Sequence, residues 1–327
     1  MRPDDIAHER LQALANLISA AGAAALVPNG EKILGTASVK QARLFNHFRR
    51  LQGEKWARML NDGGVRAVAM KGLATAFTFW PGPDCRAVSD ADLLVRPQDL
   101  EAALEFLKAR GFAVANAPTR GPWGFVGDAS FQPLIGPDDN SNIDLHIQGD
   151  SWPFIRALSV DEILGSAQET CDAGLWVPAP THQFLIAASH AAGDLFVADA
   201  IKSVVDGCLM LRDPATIDFA ELLSRSRNGL LLRSVTVFLS LLQRLGADCG
   251  PARDAGFRLD LVAGGEFESV VSAHNCFFTD SLVMGALARL RREAMLCTEP
   301  RVALWRNSRR LTGLVRPRKG SPEDAGT

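Results

Sequence analysis

The chain has 327 residues, of which 47% are apolar and 22% are charged, a composition typical of a folded globular protein. Its formal net charge of −2 gives no general attraction to nucleic acid or to an anionic membrane. No apolar run approaches the roughly 18 residues of a membrane span, and the acidic N-terminus is unlike a signal peptide. The six cysteines form no C-x-x-C pair, which argues against a zinc ribbon and predicts reduced thiols in the cytoplasm.

Residues 1–62 are predicted to form a helical segment, because their apolar residues recur at helical spacing. Pro28-Asn29-Gly30 and Gly35 interrupt that pattern, and Asp62-Gly63-Gly64 ends it. Between residues 63 and 150 the periodicity changes to a mixture of strands and helices. The predicted strands are 65–70, 91–95, 112–114, 124–134 and 143–147, and the predicted helices are 73–80 and 100–110.

Strand signals fade after residue 152, so residues 151–315 are predicted to form a helical C-terminal domain. The predicted helices are 158–164, 182–190, 198–211, 222–245 and 281–312, the fourth with a break at Asn228-Gly229. Residues 316–327 are polar and contain proline, which predicts a disordered tail. The sequence as a whole therefore predicts an α+β protein with helices at both ends.

Three aspartates are the main candidates for metal-binding residues. Asp90 and Asp92 lie two residues apart at the start of a predicted strand, so their side chains point to the same face. Two carboxylates held that close repel each other unless a cation lies between them. Asp144 lies in a second strand of similar character and would share a face with His146. Three carboxylates on adjacent strands suit magnesium and two-metal phosphoryl or nucleotidyl transfer, with manganese as the alternative ion.

A triphosphate also needs hydrogen-bond donors. Lys71-Gly72 lies at a strand-to-helix junction, where glycine lets the backbone approach a phosphate. Arg86 precedes the carboxylate strand and could clamp two phosphate oxygens. Each residue alone also has an ordinary structural interpretation: an Asp-x-Asp at a strand edge, a solvated lysine, or an Arg86 paired with Asp84 or Asp90. The order and strand context of the whole set favour the functional interpretation.

At these residues the sequence resembles a bacterial family of uncharacterised nucleotidyltransferases within the DNA-polymerase-β-like superfamily. The matching elements, in chain order, are Lys71-Gly72, Arg86, Asp90-Ala91-Asp92-Leu93-Leu94-Val95, Gly111-Phe112 and Ile143-Asp144-Leu145-His146. The resemblance extends to His190 and to a segment from Ile201-Lys202 to Asp206, and it covers roughly residues 40–215. Two departures are Lys71-Gly72, where the wider superfamily has Gly-Ser or Gly-Gly, and Ala91, where a bulkier apolar residue is usual.

The resemblance implies a palm of mixed strands over residues 63–150, with magnesium held by Asp90, Asp92 and Asp144. Lys71, Gly72 and Arg86 would bind the nucleoside triphosphate. His146 and Lys202 are further candidate phosphate contacts, with a structural hydrogen bond and a solvated lysine as their alternatives. His190 and Asp206 would line the acceptor side or serve as structural hydrogen-bonding groups.

The leading functional hypothesis is transfer of a nucleoside monophosphate from an NTP, such as ATP, to the hydroxyl of an unknown acceptor. That acceptor could be a small molecule, a peptide, a protein or RNA. The sequence does not indicate the oligomeric state of the protein either. A catalytically inactive nucleotide-binding or regulatory module with the same fold is the rival hypothesis. The basic segment from Arg289 to Lys319 could bind RNA or an acidic partner, although a solvated helix face and loose tail explain it more simply.

Overall fold

The structure is a computed structural model that describes residues 3–115, 129–137, 142–170, 174–196, 200–259, 286–297, 299–305 and 308. Several sequence predictions lie wholly or partly outside these residues. They are the first part of the 124–134 strand, both ends of the 281–312 helix, most of the basic segment and the 316–327 tail.

The N-terminal region is helical, as predicted. It contains α1 (Pro3–Ile18), α2 (Ala20–Leu26), α3 (Gly30–Leu34) and the long α4 (Thr36–Asp62). The side chain of Ser19 caps α2 by accepting a hydrogen bond from the Gly22 amide at 3.2 Å. Gly35, with a φ of 85°, separates α3 from α4 in a backbone conformation that favours glycine. The predicted interruptions near residues 28–30 and 35 are therefore confirmed.

A five-stranded mixed sheet follows, in the order β1-β2-β5-β4-β3. Its strands are β1 (Val68–Ala69), β2 (Ala91–Leu94), β3 (Ala113–Val114), β4 (Leu134–Ile135) and β5 (Asn142–His146). Only β2 and β5 pair in parallel, and the other neighbours are antiparallel. The predicted α+β class is confirmed. Strands β1, β2 and β3 are shorter than their predicted runs, whereas β5 has the predicted length and begins one residue earlier.

Two helices lie along the chain between these strands. Helix α5 (Lys71–Thr78) begins at Lys71, two residues earlier than predicted, and directly follows β1. A 3₁₀ turn at Pro97–Asp99 leads into α6 (Leu100–Lys108). Pro97 is the first residue of this 3₁₀ turn, the position that proline usually takes at the start of a helix. Gly111, with a φ of 89°, then turns the chain into β3.

The C-terminal region is mainly helical. Its helices are α7 (Val160–Gly165), α8 (Pro180–Gly193), α9 (Ile201–Met210), α10 (Phe219–Asn228), α11 (Leu232–Arg244), α12 (Gly250–Asp254) and α13 (Ala286–Leu296). The predicted break at Asn228-Gly229 is confirmed as the junction of α10 and α11. The prediction that strands end near residue 152 is wrong, because β6 (Gln168–Glu169) and β7 (Trp176–Val177) form a small hairpin. Strands of two residues are too short to show a periodic pattern.

The apolar cores cross the predicted domain boundaries. One core joins Val68, Met70 and Leu94 of the sheet region to the helices from α8 to α11. Another joins α1 and α2 to Trp80 and to Ile201 of α9. A third core packs Trp56 and Leu60 of α4 against Leu93 and Leu145 of the sheet, so helices from both ends of the chain pack against the sheet region. None of the described helices combines the length and the apolar character needed to cross a membrane.

Candidate functional site

The parallel pairing of β2 and β5 brings two of the three predicted aspartates together. Asp92 lies directly opposite Asp144 in the register, and Leu94 lies opposite His146. Because alternate residues of a strand share a face, His146 projects on the same side of β5 as Asp144. Two sequence segments that are 52 positions apart thus place an Asp-Asp pair and a histidine on one surface of the sheet.

Asp92 is the centre of a buried network of polar contacts. Its Oδ1 atom accepts a hydrogen bond from Lys71 Nζ at 2.5 Å and lies 2.8 Å from His146 Nε2. Lys71 Nζ is also 3.4 Å from His146 Nε2. Asp92 and His146 are only 6% and 4% exposed, so these contacts form away from bulk water. The Lys71–Asp92 contact was not predicted, since the sequence indicated only a phosphate contact for Lys71.

The charges in this network shift the protonation of its members. Burial alone would raise the pKa of Asp92, but Lys71 and His146 together hold that pKa well below its usual range. Burial lowers the pKa of Lys71, yet the neighbouring Asp92 carboxylate outweighs it and the net direction is upward. The pKa of His146 is lowered, first by burial and then by the Lys71 charge. Lys71 and Asp92 therefore form a charged pair beside a neutral imidazole.

In the part of the chain that the structure describes, no direct ion pair of this kind is seen for Asp144, and the more distant Lys71 charge lowers its pKa by less than the other groups raise it. Burial raises its pKa to about 7, and the negative charges of Asp90 and Asp92 act in the same direction. Repulsion of this kind is what a bound cation would relieve. Among the described residues, the ligand atoms of Asp92, Asp144 and His146 lie within 4.8 Å of one another. This donor set can hold a metal ion, and the positive charge of such an ion would offset the repulsion between Asp144 and its neighbouring carboxylates.

Asp90 lies beside this group rather than within it. Its Oδ1 atom accepts a hydrogen bond from the Ser89 hydroxyl at 2.6 Å, and the residue is half-buried at the start of β2. The sequence predicted Asp90, Asp92 and Asp144 as the metal ligands. The structure brings Asp92 and Asp144 together with His146, and it leaves Asp90 as a nearby charge that raises the pKa of Asp144.

Arg86 contacts a partner that the sequence did not indicate. Its Nε and Nη2 atoms donate to Asp206 Oδ1 and Oδ2 at 2.9 and 2.8 Å, and Trp80 Nε1 donates to the same carboxylate at 2.7 Å. Arg86 Nη1 donates to the Ala87 carbonyl. The suggested pairing of Arg86 with Asp84 or Asp90 is therefore wrong. A buried bidentate pair between residues 120 positions apart cannot be read from local spacing.

The predicted residues converge on one cleft of about 670 Å³. Its lining includes Lys71, Gly72, Arg86, Asp90, Asp92, Asp144, His190, Lys202 and Asp206, which belong to the sheet, to α5 and to α8 and α9. His146 lies behind Asp92 rather than in the lining. Lys71 adopts a left-handed backbone conformation, with a φ of 49°, at the start of α5. Non-glycine residues in this conformation are uncommon and concentrate at functional sites.

Comparison with known proteins agrees with this geometry. A family model described as uncharacterised nucleotidyltransferase matches residues 6–247 of the chain. The matched region contains the whole sheet, the cleft and the helices that line it. No similar protein was found among the curated proteins.

Proposed function

The chain belongs to the uncharacterised nucleotidyltransferase family, and on that basis we propose that it transfers a nucleoside monophosphate from an NTP to an acceptor hydroxyl. The observation that carries this proposal is the pairing of Asp92 with Asp144 at the cleft, with His146 beside them. Adjacent carboxylates on neighbouring strands are the arrangement that positions metal-bound phosphates for transfer. The cleft volume of about 670 Å³ is suited to a nucleotide.

The proposed reaction exchanges one phosphorus–oxygen bond for another. The acceptor oxygen attacks the α-phosphorus, and the bond between the α-phosphorus and the bridging oxygen breaks. Pyrophosphate leaves with the electron pair of that bond, and the acceptor loses its proton. Asp144 is proposed to receive this proton, because its carboxylate lines the cleft beside the residues that would hold the metal.

Asp92, Asp144 and the nearby Asp90 are the residues that would hold Mg²⁺. This ion prefers oxygen ligands, so the buried His146 is better suited to orient Asp92 through its hydrogen bond. Mn²⁺ is the alternative, and it could also accept the imidazole directly. When bound, the metal supplies positive charge that offsets the charge of the triphosphate.

Four residues are proposed to bind the phosphates directly. Lys71, at the positively charged end of α5, would exchange its Asp92 contact for a phosphate oxygen once a metal neutralises Asp92. Gly72 leaves the backbone of this turn open to the ligand, and Lys202 faces the cleft from α9. Arg86 retains an N–H on each terminal nitrogen beyond its bonds to Asp206 and Ala87, so it could contribute one phosphate contact while Asp206 orients it.

The test combines binding and turnover. Thermal unfolding is measured with ATP, GTP, CTP and UTP, each with and without Mg²⁺, and pyrophosphate release is followed in parallel. A nucleotide at about one hundred times its Kd should stabilise the wild type by roughly 2.7 kcal/mol, and only with metal. Asp144→Asn should lose this effect, whereas Asp62→Asn, at the exposed end of α4, should keep it. A metal-independent shift that persists in Asp144→Asn would contradict the proposal.

A second candidate function is nucleotide binding without turnover. Lys71 already neutralises Asp92 through a 2.5 Å hydrogen bond, and Arg86 is already paired with Asp206. A site with its charges satisfied in this way can act as a regulatory module. Nucleotide-dependent stabilisation without pyrophosphate release, across acceptors that include glycerol, serine peptides and RNA, would favour this candidate.

A further inference from the structure

A second cavity of about 400 Å³ lies between α1 and α9, next to the cleft. Its walls are almost entirely apolar, and polar side chains occur only at the rim, where Glu9 and Arg10 are exposed. The lining residues are Glu9, Arg10, Ala13, Leu14, Leu17, Ile201, Val204, Val205, Cys208 and Leu245. We refer to this cavity as the α1–α9 groove. Its volume lies within the usual range for a small-molecule site.

The groove adjoins the cleft. Leu17 of α1 and Ile201 of α9 line both cavities. Ile201 is followed directly by Lys202, which lines the cleft, so the charged compartment and the apolar one meet at this turn of α9. A ligand bound at the aspartates would reach the groove by passing Leu17 and Ile201.

The groove wall is held by the protein interior. Leu14, Leu17 and Val205 are half-buried and pack against the core that contains Leu11 and Ile201. Because the inner parts of these side chains are fixed by packing, their outer surfaces form a stable apolar wall. An aliphatic group that fills the groove would gain about 0.8 kcal/mol for each methylene removed from water.

We propose that the α1–α9 groove binds an aliphatic segment of the acceptor, whose hydroxyl then lies at the aspartates of the cleft. This inference rests on the proposed nucleotidyl transfer. The nucleotide itself is a poor occupant, since its phosphates need the cations and amides of the cleft, whereas the groove wall is apolar. The acceptor is therefore a hydroxyl compound that carries an aliphatic chain beside the reacting group.

Linear alcohols from 1-butanol to 1-octanol are the probes for this test. Their binding to the full-length protein is measured by calorimetry in the presence of Mg²⁺ and a non-hydrolysable ATP analogue. The affinity of the wild type should rise about threefold to fourfold per methylene until the groove is filled. Transfer of labelled nucleotide from ATP to 1-octanol and to glycerol is measured in the same preparation, and 1-octanol should be the better acceptor.

Two groove variants and one control keep the test independent of misfolding. Ala13→Trp fills the groove from α1 with apolar atoms, and Val205→Asp places a charge in its wall. Both should lose the dependence on chain length while they keep the metal-dependent stabilisation by nucleotide. Leu44→Asp, at a position of α4 that is 56% exposed and lies outside both cavities, should behave as the wild type.

The outcomes separate this inference from the proposed function. Affinity that does not depend on chain length, or that keeps this dependence in both groove variants, overturns the groove assignment even where nucleotide binding is normal. Alcohols that dissociate a dimer of the chain would assign the groove to a second copy and also overturn it. Length-dependent alcohol binding without any metal-dependent nucleotide binding would instead contradict the proposed transfer reaction.

Discussion

At the scale of single residues, Asp144 is the least favourably placed carboxylate of the site. It faces Asp90 and Asp92, and the ammonium of Lys71 is directed to Asp92 instead. We expect Asp144→Asn to stabilise the protein when no metal is present. The pKa of Asp144 is raised from 3.8 to about 7 in the folded state, so ionisation opposes folding increasingly between pH 4 and 7, and fully above pH 7.

Removal of this charge should raise the free energy of unfolding by about 1–3 kcal/mol at pH 8, and by almost nothing near pH 4, where the carboxyl is protonated in the folded state. Urea denaturation at both pH values, in buffer with a chelator, measures the difference. The Asp62→Asn control should gain less stability at pH 8 than Asp144→Asn, because it removes only an exposed negative charge from the C-terminal end of α4. Equal stability of Asp144→Asn and wild type at pH 8 would mean that the three carboxylates do not repel each other as inferred.

The backbone of Lys71 allows a second prediction. Its φ of 49° is in the left-handed region, which costs roughly 1–2 kcal/mol for a residue with a Cβ atom. Lys71→Gly and Lys71→Ala both remove the ammonium group, so both should lose nucleotide binding. They should differ in stability, with Lys71→Gly the more stable by about 0.5–1 kcal/mol, because only alanine keeps the strain.

The reverse order is expected in a regular helix, where alanine is more stable than glycine by about 1 kcal/mol. Gln41, an exposed residue within α4, provides this comparison through Gln41→Ala and Gln41→Gly. Chemical denaturation of the four variants measures their free energies of unfolding and gives the order of alanine and glycine at each position. If the alanine variant is more stable than the glycine variant at both positions, Lys71 is not held in the left-handed conformation in solution.

The local sequence predicted which residues form the candidate site better than it predicted which side chains they contact. Strand periodicity was sufficient to predict that Asp90 shares a face with Asp92 and that Asp144 shares a face with His146, because alternation is a property of each strand by itself. The pairing of β2 with β5 sets the register that places Asp92 opposite Asp144. The contact of Lys71 with Asp92 depends on how α5 follows β1, and the pairing of Arg86 with Asp206 depends on the packing of α9. Such contacts are set by tertiary structure, and no local spacing encodes them.

At the scale of elements, the junction of α10 and α11 requires a residue without a side chain. A Cβ atom added at Gly229 would lie 2.2 Å from Ala157 Cβ and 2.8 Å from its Cα. Because the second contact is with backbone, a side-chain rotation cannot relieve it. We expect Gly229→Ala to lower the free energy of unfolding by about 1–3 kcal/mol.

Gly165, the last residue of α7, is the matched control, since no atom lies within 4 Å of an added Cβ there. Gly165→Ala should be neutral or slightly stabilising. Both variants are compared by urea denaturation. A Gly229→Ala protein as stable as Gly165→Ala would indicate that the contact between Ala157 and the α10–α11 junction is looser than the structure has it.

The ends of helices could be predicted where the sequence contains residues that commonly end a helix. The α10–α11 break is marked by Asn228-Gly229, and the end of α4 is marked by Asp62-Gly63-Gly64. The β6–β7 hairpin and the short α12 carry no comparable pattern, because two or five residues do not complete a recognisable period. Their formation depends on neighbours rather than on local propensity.

At the scale of the whole molecule, a buried ion pair connects two distant parts of the chain at the cleft. Asp206 of α9 binds Arg86, which precedes β2, and also accepts a hydrogen bond from Trp80. Both charged side chains are less than 8% exposed. The predicted boundaries at residues 62 and 150 remain predictions, but the shared apolar cores and this ion pair connect the regions on either side.

We therefore expect residues of the three predicted regions to unfold together. Urea unfolding followed by circular dichroism and by tryptophan fluorescence should give coincident transitions. Asp206→Asn leaves the Arg86 charge buried without its counter-ion, so it should lower the free energy of unfolding by about 3–5 kcal/mol without splitting the transition. Arg86→Met combined with Asp206→Leu removes both charges, and most of that loss should be recovered.

The double variant also tests what the pair does for the cleft. If its role were only to stabilise the fold, Arg86→Met/Asp206→Leu would bind nucleotide as the wild type does. Arg86 lines the cleft beside Gly72, with its guanidinium carbon 3.4 Å from where a Cβ would lie, so we expect weaker nucleotide binding despite restored stability. Two separate unfolding transitions in the wild type would instead support independent domains divided near residues 62 and 150.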